Sequence, residues 1–124
     1  MTAIASLSCV AIDCPEPREL AQFYSAITGW PIDEENADDE WIGITAGKGV
    51  GLDFQRVTNY QPPEWPGQER PQQAHLDFVV DDLDVGEAAV LALGARKHEV
   101  QPGTGFRVFL DPVGHPFCLC LSGA

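Results

Sequence analysis

HLDFVVDDLDVGEAAVLALGARK, residues 75–97, decides the fold, because an earlier stretch follows the same plan: CVAIDCPEPRELAQFYSAITGW, residues 9–30. In each, an alternating apolar strand runs into an acidic or proline-containing turn. A helix with apolar positions three and four residues apart comes next, and then a glycine. His75 follows Cys9 by 66 residues and Gly94 follows Gly29 by 65. Two copies of one unit, each burying a helix face against a sheet face, predict an α+β chain.

Working outward, residues 4–12 are predicted as the first strand, with Cys9, Ala11 and Asp13 on one face. The first helix is expected from Glu16 to Thr28, with Leu20, Phe23, Tyr24 and Ile27 as its apolar stripe, Pro17 at its start and Gly29 as its left-handed stop. The run PIDEENADDE, residues 31–40, predicts a short strand and a solvated acidic turn. EWIGITA and GVGLDFQRV, joined by GKG, predict an antiparallel hairpin, with Asp53 and Gln55 on one face of its second strand and Leu52 and Phe54 on the other.

Residues 58–73, TNYQPPEWPGQERPQQ, hold four prolines and little periodicity and are expected to link two modules. Trp65 within them either caps the core or lids a pocket. Beyond the linker, residues 74–80 predict a strand, and Asp84 is expected to cap a helix that runs to about Leu93 and stops at Gly94. ARKHEV, FRVFLD and PFCLCL follow as three strands. The chain is thus expected to be a single domain over residues 1–124, with modules at about 1–57 and 74–124 and a linker at about 58–73.

The composition, 44% hydrophobic and 21% charged, is that of a globular protein. A net charge of −12 opposes binding to phosphate backbones, so nucleic acid is excluded as a partner, while a cationic small molecule would be steered toward such a surface. No stretch is long and apolar enough to cross a bilayer. The first basic residue is Arg18, so the N-terminus lacks the charged region of a secretory signal, which points to the cytoplasm. In that compartment the four cysteines are expected to be free thiols.

The duplicated pattern, with Phe23-Tyr24 in its first helix, Leu93-Gly94-Ala95 ending its second and DPVGHPFCLCL at residues 111–121, resembles the vicinal oxygen chelate superfamily. That group contains glyoxalase I, extradiol dioxygenases, fosfomycin-resistance enzymes and bleomycin-resistance proteins. More narrowly, the chain is similar to glyoxalase-like proteins of unassigned activity. The resemblance implies two tandem βαβββ modules forming a curved mixed sheet with an inner cavity. It also implies four inward positions able to hold a divalent metal. The first-strand position falls at Cys9 and its counterpart in the second module at His75. The acidic ligand of the second module falls at Cys118, and that of the first near Asp53 or Gln55. Where the superfamily has roughly His, Glu, His, Glu, this chain has Cys, Asp or Gln, His, Cys. No metal cofactor is therefore expected, since such a set does not suit oxygen-preferring ions and would at most favour a closed, zinc-like site.

Two function classes follow from the resemblance. One is a metal-free binding protein that takes up a small hydrophobic or cationic compound, as bleomycin-resistance proteins do. The alternative is a divalent-metal-dependent lyase, isomerase or dioxygenase of the glyoxalase type. For the binding class, strand parity nominates Cys9, Asp53, Gln55, His75, Asp77 and Cys118 as lining residues, with Trp41 and Trp65 near the mouth. Members of the superfamily commonly pair, so a homodimer is expected.

Overall fold

The computed structural model describes residues 2–122. The chain divides into two compact units, Met1–Tyr60 and Gln61–Ala124. The first holds strand β1 (Cys9–Cys14), helix α1 (Pro17–Thr28), a 3-10 turn at Glu34–Asn36, and strands β2 (Trp41–Ile44) and β3 (Gly51–Arg56). Its sheet has the order β1-β3-β2, with β1 parallel and β2 antiparallel to β3.

Strand alternation gives this sheet two unlike faces. Ile42, Ile44, Leu52 and Phe54 are buried on one, as are Leu20, Ala21, Phe23 and Tyr24 on the amphipathic helix α1. The Tyr24 and Phe54 rings stack with centroids 5.6 Å apart, so helix and sheet meet aromatic on aromatic. Gly29 ends the helix at φ 75°, a left-handed conformation that costs glycine little, and its N–H donates to the Ser25 carbonyl.

Two sequence expectations need correction here. The first strand begins at Cys9 rather than residue 4, because the strand it pairs with, β3, begins at Gly51, the partner of Cys9. Ile4 and Leu7, left without a ladder, are exposed. The strand expected just after Trp30 shrinks to a single bridge, Ile32 to Ile44, and the acidic residues behind it curl into the 3-10 turn. The first unit is therefore β-α-bridge-β-β.

The second unit holds β4 (Leu76–Val80), α2 (Leu83–Ala92), β5 (Arg96–Lys97), β6 (Phe106–Leu110) and β7 (Pro116–Leu121), which is the full β-α-β-β-β order. Its sheet runs β4-β7-β6-β5, with β4 parallel to β7 and β6 antiparallel to both its neighbours. Phe117 meets Phe78 edge-on at 6.0 Å and stacks on Phe109 at 5.6 Å. Gly86 lets α2 approach this face closely, since a Cβ there would lie 3.1 Å from Leu119 and 3.2 Å from Val80.

Asp82, not Asp84, caps α2: its carboxylate accepts the Val85 N–H at 2.9 Å. The strand ends at Val80, so the helix starts earlier than its apolar pattern suggested. Asp84 instead meets the Arg107 guanidinium at 2.9 Å, which Glu87 also engages. Strand β5 is only two residues long because a side chain takes over its ladder. Gln101 accepts the Val108 N–H and donates to the carbonyls of Val108 and His98.

The DPVGH turn is built around Asp111, which is fully buried. Its carboxylate accepts the N–H groups of Val113 and His115, both at 3.0 Å. Gly114 follows at φ 97°, and a Cβ there would come 2.8 Å from Pro62. This motif is spent on making the β6–β7 hairpin.

Candidate functional site

The face of the sheet away from its helix carries Cys9, Asp13, Asp53 and Gln55 in the first unit and Asp77, Cys118 and Cys120 in the second. On the second sheet, Asp77, Cys118 and Val108 lie side by side across β4, β7 and β6. Their strand neighbours Leu119 and Arg107 point to the helix side, where Arg107 is tied to Asp84 and Glu87. Arg107 is thereby committed to α2.

His75 immediately precedes β4, and its Nε2 lies 3.2 Å from Asp77 Oδ1. Ligand atoms of His75, Asp77 and Cys118 all fall within 4.8 Å of one another. His75 and Asp77 are exposed, whereas Cys118 is only 7% accessible. Burial, then the charge of Asp77 and its hydrogen bond, and then Cys120, push the Cys118 thiol up to about 12. The thiol is thus a hydrogen-bond donor, with the carboxylate lying between it and the imidazole.

On the first sheet the lateral rows are Ala11–Asp53–Gly43 and Asp13–Gln55–Trp41. The Trp41 indole N–H reaches diagonally to Asp53 Oδ2 at 2.6 Å. Cys9 lies on the other diagonal, and its thiol is pushed up by burial, by a hydrogen bond to Asp53 and by that carboxylate's charge. Gln55 is exposed on the same face.

Strand register resolves the ambiguity between Asp53 and Gln55. Ala11 pairs with Asp53, and Asp77, the counterpart of Ala11 at the repeat offset, pairs with Cys118. Asp53 is therefore the equivalent of Cys118, and Gln55 that of Cys120. Both units place a carboxylate beside a thiol, although by different strands. In one the acid is on the last strand and the thiol on the first; in the other the order is reversed.

Trp65 is not among these groups. Its half-exposed ring meets the His98 ring edge-on, with centroids 5.0 Å apart. The structure thus gathers Cys9, Trp41, Asp53 and Gln55 on one face of the first unit, and His75, Asp77 and Cys118 on one face of the second. Two participants carried no clear signal in the sequence. Gly43 leaves the room that Asp53 occupies, since a Cβ there would sit 2.6 Å from Asp53 Oδ1. Cys120 adds to the field at Cys118. A strand glycine opposite an acid was the only available hint of the first.

The residues can be matched against the divalent ion that the fold family uses. In the first unit they do not fit: Cys9 is a protonated donor to Asp53, whose other bond is to an indole. In the second, one nitrogen, one oxygen and one sulfur fit a tetrahedral, zinc-like ion with an open position, but not an oxygen-preferring one. His75, Asp77 and Cys118 would hold such an ion, which would act there as a Lewis acid.

Each unit is a mixed sheet with a helix on one face and polar, ligand-capable groups on the other, and comparison with known proteins gives the class of this α+β fold. The glyoxalase-like domain family model matches residues 9–120, so the chain belongs to the glyoxalase-like domain family. It is similar to a glyoxalase/bleomycin resistance protein/dioxygenase family enzyme from Burkholderia phytofirmans PsJN, at 20% identity and a TM-score of 0.70, covering 93% of this chain and 97% of that one. A glyoxalase/bleomycin resistance protein from Albidiferax ferrireducens T118 is 19% identical, with a TM-score of 0.62 and the same coverages, 93% and 97%. A glyoxalase family protein from Enterococcus faecalis is 21% identical, with a TM-score of 0.66 and coverages of 94% and 98%. These likenesses establish the fold. No curated protein matches the chain.

Proposed function

We propose that this protein binds or sequesters a small hydrophobic or cationic compound without a metal, in the manner of a resistance protein. The observation that carries this is Cys118. At the position where the family's acidic ligand would close a metal site, there is a buried thiol. The chain thus lacks, at that position, the oxygen ligand that the family's ions prefer. On the first unit, Asp53 and Gln55 with Trp41 beside them suit recognition of a small molecule by hydrogen bonds and an aromatic face.

We assign ligand-contacting roles to the helix-free face of each unit taken by itself: Cys9, Trp41, Asp53 and Gln55 on the first, and His75, Asp77 and Cys118 on the second, with Trp65 outside that group. The two units are read as halves of one glyoxalase-like domain, acting in the cytoplasm as a homodimer. No helix among the described residues is long and apolar enough to cross a membrane. Sedimentation at micromolar concentration checks the dimer, and a monomer there counts against it.

The test of function is tryptophan fluorescence against cationic antibiotics, glutathione adducts and aromatic diols. Saturable quenching by a cationic or aromatic compound, weakened by Asp53→Ala and His75→Ala, is expected. Turnover of a glutathione adduct that depends on added divalent metal would overturn the reading in favour of the metal-dependent glyoxalase type.

A further inference from the structure

We propose that the helix-free face of β1, β2 and β3 takes an organic cation, seated on the Asp53 carboxylate and against the Trp41 indole. This rests on the small-molecule-binding reading and narrows the ligand to a class.

The strand register builds the seat. Asp53 has Ala11 on one side and Gly43 on the other, so a charged group is flanked laterally by a methyl and a hydrogen, with the Cys9 thiol and the Trp41 indole donating to it along the diagonals. Gly43 is required there, because any Cβ would come 2.6 Å from Asp53 Oδ1. The half-buried carboxylate thus stands between two small neighbours and leans over Gly43. Trp41, 38% exposed, forms the wall one row along, fixed by its Nε1–H bond of 2.6 Å to Oδ2. Ala11 and Asp13 on the same face are also exposed.

The chemistry selects a cation with an organic body. An indole N–H lies in the ring plane, so the carboxylate sits at the ring's edge and that bond uses neither ring face. A positive group lying within about 6 Å of the ring centroid would feel the indole's quadrupole and the carboxylate together. A small inorganic ion keeps its hydration shell and gains little from the indole, whereas an alkylammonium or guanidinium group on a carbon chain gains from both.

Among the described residues, no built-in cation competes for this seat. The helix-free positions of β1, β2 and β3 hold Asp13 and Asp53 but neither Lys nor Arg. Arg56 alternates to the other face, and Arg18 is paired with Glu34 at 3.0 Å. The net charge of −12 draws cations toward the surface from a distance.

The experiment is calorimetric titration at low salt with benzylammonium and with benzyl alcohol, which keeps the ring and removes the charge. The wild type is expected to prefer the ammonium by about tenfold. Asp53→Asn, whose amide oxygen still accepts the Trp41 N–H, should abolish that preference, and Gly43→Ala should reduce it by displacing the carboxylate. Circular dichroism establishes that each variant folds. Equal affinity for the two compounds overturns the cation class but leaves the binding reading intact. Ammonium binding that Asp53→Asn leaves unchanged overturns this seat. If neither these compounds nor the antibiotics, adducts and diols bind, both the inference and the reading beneath it fall.

Discussion

Asp77 and Cys118 are direct partners across the parallel pair β4–β7, and the carboxylate keeps the thiol protonated. Burial starts the shift, and Asp77 adds its charge and its hydrogen bond. This makes Cys118 the reverse of an activated cysteine, which needs a cation or an imidazole beside its sulfur.

Cys118 should therefore resist alkylation. With its pKa at about 12, roughly one thiol in ten thousand is ionised at pH 8. Peptide-resolved mass spectrometry after iodoacetamide should find Cys118 essentially unmodified while the protein is folded. Asp77→Asn removes a negative charge, lowers the thiol's pKa and should raise the rate severalfold. A fast-reacting Cys118 in the wild type would contradict the site as described.

The same shift fixes the sign of a pH effect on stability. The folded thiol titrates near 12 and the unfolded one near its ordinary value of 9.0. Its contribution is thus fully present below pH 9 and is lost as pH rises toward 12, by up to about 1.4 kcal/mol per pH unit. Denaturant unfolding from pH 8.5 to 10.5 should show a steeper decline for the wild type than for Cys118→Ala. Parallel declines would contradict it.

Helix capping separates two neighbouring acids. Asp82→Ala removes the acceptor for the Val85 N–H and should cost about 1 kcal/mol. Asp84→Ala removes only an exposed ion pair to Arg107 and should cost less than about 0.5 kcal/mol. Urea midpoints of the two variants decide this, and a larger loss at Asp84 would move the cap.

Purified protein should carry less than one equivalent of divalent metal after dialysis, as measured by plasma emission spectroscopy. Chelator should leave the melting temperature unchanged in the wild type and in His75→Ala alike. Stoichiometric zinc that is lost on His75→Ala would show that the second-unit cluster is a metal centre and would revive the enzyme alternative.

What the sequence by itself determined is what local pattern controls. The α1 stripe of Leu20, Phe23 and Tyr24 and the Gly29 stop were written in helical spacing and in glycine's freedom at positive φ. Alternation placed Asp53 opposite in facing to Phe54, and the duplicated strand–helix unit located most elements of both halves. Family membership was legible in the same motifs, as the match over residues 9–120 bears out.

Only the tertiary structure decided register and partners, because these depend on which strands lie side by side. It set the start of β1, which no pattern marks, since a ladder ends where its neighbour ends. It chose Asp53 over Gln55 as the counterpart of Cys118, because the two share a face and only the pairing of Ala11 with Asp53, matching that of Asp77 with Cys118, tells them apart. It also gave Asp53 a bond to Trp41 and Asp77 a place between His75 and Cys118. The pairing of Asp77 with Cys118 and the bond from Trp41 to Asp53 cross between strands, and they turn a list of polar side chains into groups with defined partners.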